Sequence, residues 1–361
     1  MWVLLEKPGV YIVKLVRAWI TPLIALVIAF GIGAILMITQ GSDPIRAYES
    51  LFTTAFSTQE GLAKTFGKAT PLAISGLAVV IGLRAGLFNI GAQGQLISGA
   101  LAAAWAGYAI TGLPMIAHVP LCLIIGAIFG SLVGYIAGAL KAYRGIHEVI
   151  TTIMLNSIVL QFAEYLSNGP LKEEGSIIAK TPPIADSAKI GSIAGLPIGF
   201  LLSGLLAVGV WWIFKKTTTG FRFETVGKNK NAAWYAGIAV KRNTVFAMVA
   251  CGALAGFGGA VETLGVVGKF EPAFNQGLGF DGITIALLAR ANPLAVIPGA
   301  ILFGGMRGAG PTMQFTAGVS PEIIDLILAI VLFFVTAPII SRIFKLKSDS
   351  NAQVTSGWGS N

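Results

Sequence analysis

The sequence predicts an all-α polytopic membrane protein with about ten transmembrane helices, and three observations support this fold class. Apolar residues make up 55% of the 361 residues, whereas charged residues make up only 11%. Soluble domains carry about 25% charged residues, so this chain has too few to cover a water-facing surface. The mean hydropathy is +0.79, and the apolar residues form separated runs, several near the ~20 residues that cross a bilayer. These observations exclude soluble, disordered and fibrous classes.

Ten apolar runs mark the predicted helices, and several of them are short or contain Gly and Pro. Such interruptions are typical of broken helices that are buried inside a membrane bundle. The first run is too long for the core of a signal peptide and lacks a small-residue cleavage site, so we expect it to be retained. The ten runs are Ile20–Ile38, Ala69–Gly82, Leu96–Leu113, Val119–Leu140, Val149–Leu166, Leu196–Phe214, Thr244–Val267, Gly282–Ala289, Leu294–Met306 and Glu322–Ser341.

The distribution of basic residues predicts the orientation of the chain. Segment 215–243 carries seven Lys or Arg residues against one acid, Glu224, whereas segments 41–68 and 167–195 each carry three basic and three acidic residues. Lys and Arg are enriched in cytoplasmic loops, so the first segment is expected inside and the other two outside. The net charge of +9 is accounted for by this bias and does not indicate a nucleic-acid partner.

The same bias predicts the organisation of the chain. Residues 1–19 form a cytoplasmic segment, residues 20–341 form the membrane domain, and residues 342–361 form a basic cytoplasmic tail. With both termini cytoplasmic, the number of crossings must be even, which favours ten.

The sequence contains no enzyme motif. Neither a Gly-x-Ser-x-Gly elbow nor a His-Glu-x-x-His motif occurs, and no His/Cys cluster has the spacing of a metal site. Segment Gly61–Ala69 comes nearest to a phosphate-binding P-loop, but its glycine spacing is one residue too long and Ala69 has no hydroxyl for magnesium. We therefore expect no catalytic site, no metal and no cofactor bound by this chain.

Polar residues interrupt the apolar sequence in two places. Segment Arg84–Gln95 contains Asn89 and Gln93 among several glycines, and Thr152 and Asn156 lie four residues apart on one face of a predicted helix. Uncharged groups that form hydrogen bonds suit a neutral polar solute better than an ion. We predict that these four side chains line a substrate path. A short turn with helix-capping amides and structural bonds between helices are the alternatives.

Two further features concern the membrane domain. Glu164 and Glu262 lie near predicted outer ends of helices, where we expect solvated mouths; a buried acid would instead indicate a proton relay.

Four glycines recur every four residues and share one helix face, which permits close approach of helix backbones in lipid. We expect this face to pack inside the bundle, and a subunit interface is the alternative. The glycines are Gly126, Gly130, Gly134 and Gly138.

Segment 215–243 is too long for a simple turn and contains a predicted short helix. Asn231 is expected to cap a helix through Ala232–Ala236, and Gly237 is expected to end it. Aromatic residues exposed on such a helix anchor a partner protein. A helix that lies in the membrane interface is the alternative.

Three segments resemble the integral-membrane permeases of bacterial ABC importers of the ribose/branched-chain amino acid type, specifically the nucleoside and simple-sugar branch. They are Gly86–Gln95, His147–Asn156 and Val226–Gly237. The resemblance extends from about Ile20 to Ser341. It implies that the chain forms the translocation path for purine or pyrimidine nucleosides. A permease for a simple sugar such as ribose, or a self-sufficient secondary transporter or channel, is the alternative.

The resemblance also implies partners and a location. Separate ATPase subunits hydrolyse the ATP, a second permease (another copy or a paralogue) completes the path, and an extracytoplasmic binding protein delivers solute. The assembly lies among the lipids of the bacterial cytoplasmic membrane. Segment 215–243 supplies a coupling helix that docks on the ATPase, through Asn229, Asn231, Ala232, Ala233, Trp234, Tyr235 and Gly237.

Overall fold

The structure, a computed structural model, describes residues 8–336 apart from residues 194, 273–276 and 321, and this part of the chain is mostly helical. Its one pair of strands is a short antiparallel hairpin, β1 (Ser192–Ile193) and β2 (Leu196–Pro197). The predicted all-α class is therefore confirmed. The helices are α1 (Pro8–Thr39), α2 (Pro44–Phe56), α3 (Gln59–Arg84), α4 (Ala92–Ala109), α5 (Met115–Arg144), α6 (Glu148–Asn168), α7 (Ile198–Lys216), α8 (Thr218–Lys228), α9 (Lys230–Tyr235), α10 (Val240–Glu262), α11 (Leu278–Leu288), α12 (Val296–Ala317) and α13 (Glu322–Thr336).

Each of the ten predicted apolar runs overlaps one of these helices, the last of them as far as residue 336. Among the described residues, five helices are long and apolar enough to cross a membrane: α3, α5, α6, α7 and α10 with the π-helical turn that follows it. The number of ten crossings and the cytoplasmic placement of the termini stay predictions. The predicted tail at 342–361 and residues 1–7 of the predicted N-terminal segment lie outside the described residues.

Helices α3 and α12 extend well beyond the apolar runs that predicted them. Helix α3 begins ten residues before Ala69, because Thr58 caps it by accepting a hydrogen bond from the Gly61 N–H at 3.0 Å. Helix α12 continues from Met306 to Ala317. In both cases polar residues shorten the apolar run without ending the helix. The prediction of a half-length helix is right for α11, which has 11 residues.

Helix α2 lies within segment 41–68, where the sequence predicted a loop. Ala47, Leu51 and Ala55 are buried at intervals of four residues, which is the spacing of one helix face. Asp43 caps the helix, since its carboxylate accepts a hydrogen bond from the Ile45 N–H at 2.9 Å. Three of the six charges of this segment therefore belong to α2 and its cap, and the other three lie in the first turns of α3.

The described chain divides into a smaller unit, residues 8–54 and 309–336, and a larger unit, residues 55–308. In the smaller unit α1 packs against α13, and the Tyr48 hydroxyl donates to the Phe30 carbonyl at 2.6 Å. In the larger unit α10 is the central helix and packs against α3, α4 and α5.

The predicted glycine face lies where α5 packs against α10, a contact that we call the α5–α10 seam. A Cβ atom added at Gly126 would lie 2.6 Å from the Cβ of Ala260, and one added at Gly138 would lie 2.9 Å from the Cβ of Met248. Gly130 and Gly134 face the backbone of α10 as closely, at Gly252, Gly256 and Met248. The expectation of packing inside the bundle is confirmed.

Candidate functional site

The predicted coupling segment folds into two consecutive helices, α8 and α9. Asn229 separates them in an extended conformation, and its side-chain oxygen accepts a hydrogen bond from the Ala232 N–H at 3.0 Å. The cap is therefore Asn229, and the prediction that Asn231 caps the helix is wrong, because Asn231 already lies within the first turn. Gly237 ends the helix as predicted, with a φ of +75° that an L side chain rarely adopts.

Helix α9 presents an aromatic pair to its surroundings. Trp234 is 66% exposed and Tyr235 is 82% exposed, and their ring centroids lie 5.0 Å apart. Asn229, Asn231, Ala232 and Gly237 are also exposed. Ala233 is fully buried within the chain. The sequence placed Ala233 among the docking residues, but its side chain has no accessible surface and packs inside the chain in this conformation.

Arg84, the last residue of α3, connects three parts of the larger unit. Its Nη1 donates to the Glu224 carboxylate on α8 at 2.9 Å, and its Nε donates to the Ala291 carbonyl at 2.9 Å. The guanidinium carbon also lies 4.8 Å from the centre of the Phe214 ring on α7, within the range of a cation–π interaction. We call Arg84, Phe214, Glu224 and Ala291 the Arg84 cluster.

Two backbone features bring the cluster together. Gly86 has a φ of +69°, and a Cβ atom there would lie 2.7 Å from the Cα of Gly227, so α8 directly contacts the turn after α3. Arg290 and Ala291 follow α11 with φ values of +52° and +55°. For residues other than glycine, this conformation costs roughly 1–2 kcal/mol each. The Arg84 cluster therefore includes a strained turn.

In the sequence Arg84 marks only the start of a polar segment, and its contacts were not predicted. The available signals were an arginine at the end of an apolar run and, in a distant basic segment, an isolated acid, Glu224. That signal does not identify the partner, because 140 positions separate Arg84 from Glu224 and 207 separate it from Ala291.

The predicted path residues meet where the chain passes from α3 into the first turn of α4, a segment that we call the α4 junction (residues 85–95). Asn89 is 1% exposed, and its side chain accepts from the Gly91 N–H at 3.1 Å and donates to Gln95 at 2.9 Å. Asn156 on α6 donates to the Ile90 carbonyl at 2.9 Å and accepts from the Gly94 N–H at 2.8 Å. These amides therefore satisfy backbone groups where the helices are interrupted.

The other two path residues are equally enclosed. Gln93 is 5% exposed, and its side-chain oxygen accepts a hydrogen bond from the Gly279 N–H in the first turn of α11 at 2.7 Å. Thr152 is fully buried and donates to the Glu148 carbonyl one turn earlier at 2.8 Å. The four side chains thus bind the chain itself in this conformation, and their place in a substrate path stays a prediction.

Ionisable residues on α10, α11 and α12 also lie largely within the larger unit. Arg307 on α12 forms an ion pair with Asp281 on α11, a contact that was not predicted from the sequence. Glu262 is 1% exposed, and its carboxylate oxygens have no hydrogen-bond partner among the described residues. The expectation that Glu262 lies at a solvated mouth is therefore wrong, because the chain itself encloses the side chain; Glu164 is exposed.

Comparisons with known proteins identify the family. Residues 61–336 match the family described as branched-chain amino acid transport system / permease component. The chain is 38% identical to the guanosine ABC transporter permease protein NupP of Bacillus subtilis, over 90% of this chain and 95% of the relative. It is 34% identical to the nucleoside ABC transporter permease protein NupB of Lactococcus lactis, over 92% of this chain and 94% of the relative.

A third relative, the glucose ABC transporter permease protein TsgB13 of Haloferax volcanii, is 32% identical over 92% of this chain and 90% of its own length. No solved structure matches the chain. The matches confirm the resemblance that the three sequence segments carry. The chain therefore belongs to the permease components of branched-chain amino acid type transport systems and is a multi-pass membrane protein.

Proposed function

We propose that this chain is the transmembrane subunit of an ABC importer for nucleosides in the bacterial cytoplasmic membrane, with ATP hydrolysed by a separate subunit. The observation that carries the proposal is the match along nearly the whole chain to two nucleoside ABC permeases, at 38% and 34% identity. A second permease, identical or paralogous, and an extracytoplasmic binding protein complete the importer.

The ATPase docks on α9 in this proposal. The exposed Trp234 and Tyr235 support it, because large aromatic side chains supply much of the binding energy at protein interfaces. The basic residues around them favour an acidic or mixed-charge groove on the partner. The docking residues are Asn229, Asn231, Ala232, Trp234, Tyr235 and Gly237, with Ala233 as their internal support.

The solute path runs beside the α4 junction in this proposal, bordered by Asn89, Gln93, Thr152 and Asn156. An interruption between helices at this position, closed by neutral amides, supports the proposal, since such breaks occur in membrane proteins where they line a cavity. Because the amides bind the chain in this conformation, contact with solute requires α4 and α6 to separate during the transport cycle.

A cysteine at position 156 tests this path. It should react with a small water-soluble thiol reagent in at least one of the nucleotide-free and ATP-bound states. The two native cysteines, Cys122 and Cys251, are fully buried and give little background. Protection in both states would contradict the assignment.

Reconstitution tests the function as a whole. Proteoliposomes that contain this chain, its co-expressed ATPase and the cognate binding protein should accumulate nucleosides only when ATP is supplied. Preference for ribose or glucose would favour the sugar alternative, which the 32% identity to a glucose permease supports. Uptake by the chain alone, driven by an ion gradient, would favour a secondary transporter.

A further inference from the structure

We infer that Arg84 is a positioning residue for energy coupling, which links movement of α8 and α9 to α3 and to the turn that follows α11. The inference rests on the proposed function, because it presupposes an ATPase bound at α9. The inference is argued in three steps: from α9 to Arg84, from Arg84 to the turn at Arg290 and Ala291, and from that turn to the α4 junction.

The first step is mechanical connection between α9 and α8. Asn229 is the only residue between the two helices, and its N–H donates to the Thr225 carbonyl at 3.0 Å while its side chain caps α9. Phe223 on the inner face of α8 is 3% exposed, and its ring centroid lies 6.5 Å from that of Phe214. A displacement of α9 by a partner therefore moves α8 as well, including Glu224.

The second step is the guanidinium of Arg84, which binds two elements through different nitrogens. The side chains of Arg84 and Glu224 are 22% and 32% exposed, so water screens their ion pair only partly. Nε is used for Ala291 and Nη1 for Glu224. A lysine offers a single nitrogen at the end of a flexible chain, and it cannot reproduce this planar arrangement.

The third step is the turn at Arg290 and Ala291. Consecutive left-handed residues other than glycine persist only where surrounding contacts hold them, and the bond from Arg84 to the Ala291 carbonyl is such a contact. The turn ends α11, whose first turn binds Gln93 through the Gly279 N–H. Displacement of the turn therefore shifts α11 against a residue of the α4 junction.

The test measures solute transported per ATP hydrolysed in proteoliposomes with the ATPase and the binding protein. Arg84→Lys retains a positive charge near Glu224 and loses the hydrogen bond to the Ala291 carbonyl. Glu224→Gln keeps that bond and weakens the interaction between Arg84 and α8. We expect either change to lower transport per ATP about tenfold, the effect of losing roughly one hydrogen bond to a charged group. Co-purification of the ATPase should stay at the wild-type level.

Two further variants sharpen the result. Arg144→Lys, at an exposed position at the end of α5, is the control and should leave the ratio unchanged. Adding Ala291→Gly to Arg84→Lys should restore part of the loss, because glycine adopts the positive φ without strain. Absence of any recovery would show that Arg84 does not act by holding the turn.

A wild-type ratio in both Arg84→Lys and Glu224→Gln would overturn the inference. So would a loss that only follows a loss of bound ATPase. Failure of the proposed function would appear differently, as wild-type chain that binds no ATPase or takes up no nucleoside.

Discussion

At the α5–α10 seam two helices meet through glycines, and backbone atoms of one helix lie against backbone atoms of the other. At the Arg84 cluster four elements meet through one guanidinium, two directional hydrogen bonds and a ring contact. Both regions belong to the larger unit. The seam glycines have no side chain that could change partner, whereas each bond in the cluster can break and form again.

This difference indicates which contacts of the larger unit hold its structure and which contacts can rearrange. Close glycine packing has essentially one arrangement, because any sliding of the helices brings side chains against backbone. A charged cluster that is partly exposed exchanges its bonds at lower cost, since water replaces them. We therefore expect substitutions in the seam to remove folded protein, and substitutions in the cluster and on α9 to affect coupling.

The largest effect is expected for Gly256→Val in the seam. A Cβ atom at Gly256 would meet the Gly126 carbonyl and would lie 2.9 Å from the Cα of Gly130. Because backbone cannot move aside as a side chain does, the variant should lose about 3 kcal/mol or more of stability. Thermal unfolding of the detergent-purified protein, followed by size-exclusion chromatography, measures the loss.

Gly204→Val is the matched control for this substitution. Gly204 lies in α7, where an added Cβ would meet nothing within 4 Å. Wild-type thermal stability is expected. An equal loss of thermal stability in both variants would show that close packing in the seam does not explain the loss at Gly256.

A smaller effect is expected for Asn156→Leu at the α4 junction. The substitution leaves the Ile90 carbonyl and the Gly94 N–H without the bonds that Asn156 provides. Each unpaired buried group costs about 1–3 kcal/mol, partly offset by the apolar side chain. Reduced thermal stability is therefore expected along with reduced uptake. Loss of uptake at full stability would instead indicate that Asn156 acts only on the solute.

Trp234→Ala on α9 should leave folding unchanged and weaken ATPase binding. Since the side chain is 66% exposed, its removal leaves no cavity, while an aromatic anchor in an interface contributes about 2 kcal/mol, or roughly 30-fold in affinity. Co-purification and titration with the isolated ATPase measure the change. Trp212→Ala, at a position on α7 that is 55% exposed, is the control and should bind normally.

The sequence predicted those parts of the fold that depend on local spacing. Glycines four residues apart predicted the α5 side of the seam, and Gly237 predicted the end of α9, because helix periodicity and left-handed backbone are local properties. The Arg84 cluster was not predictable, since it joins residues far apart in sequence. Burial of Ala233 was also missed, because a six-residue helix shows too little periodicity to identify its inner face.

The smallest effect is expected for Glu262→Gln, which separates ATP-driven import from ion-driven transport. The carboxylate is buried without a hydrogen-bond partner among the described residues. Replacing it with an amide of the same shape therefore removes a buried charge and breaks no observed hydrogen bond. Uptake with the ATPase and ATP should therefore change by no more than about twofold. A proton relay through Glu262 requires the opposite, because an amide does not accept and release a proton at neutral pH. Glu164→Gln, at an exposed position, is the control and should take up solute normally. If Glu262→Gln alone abolished uptake, an ATP-driven mechanism in which Glu262 has no part would be contradicted. If wild-type uptake persisted in the presence of a protonophore, ATP would remain the driving force.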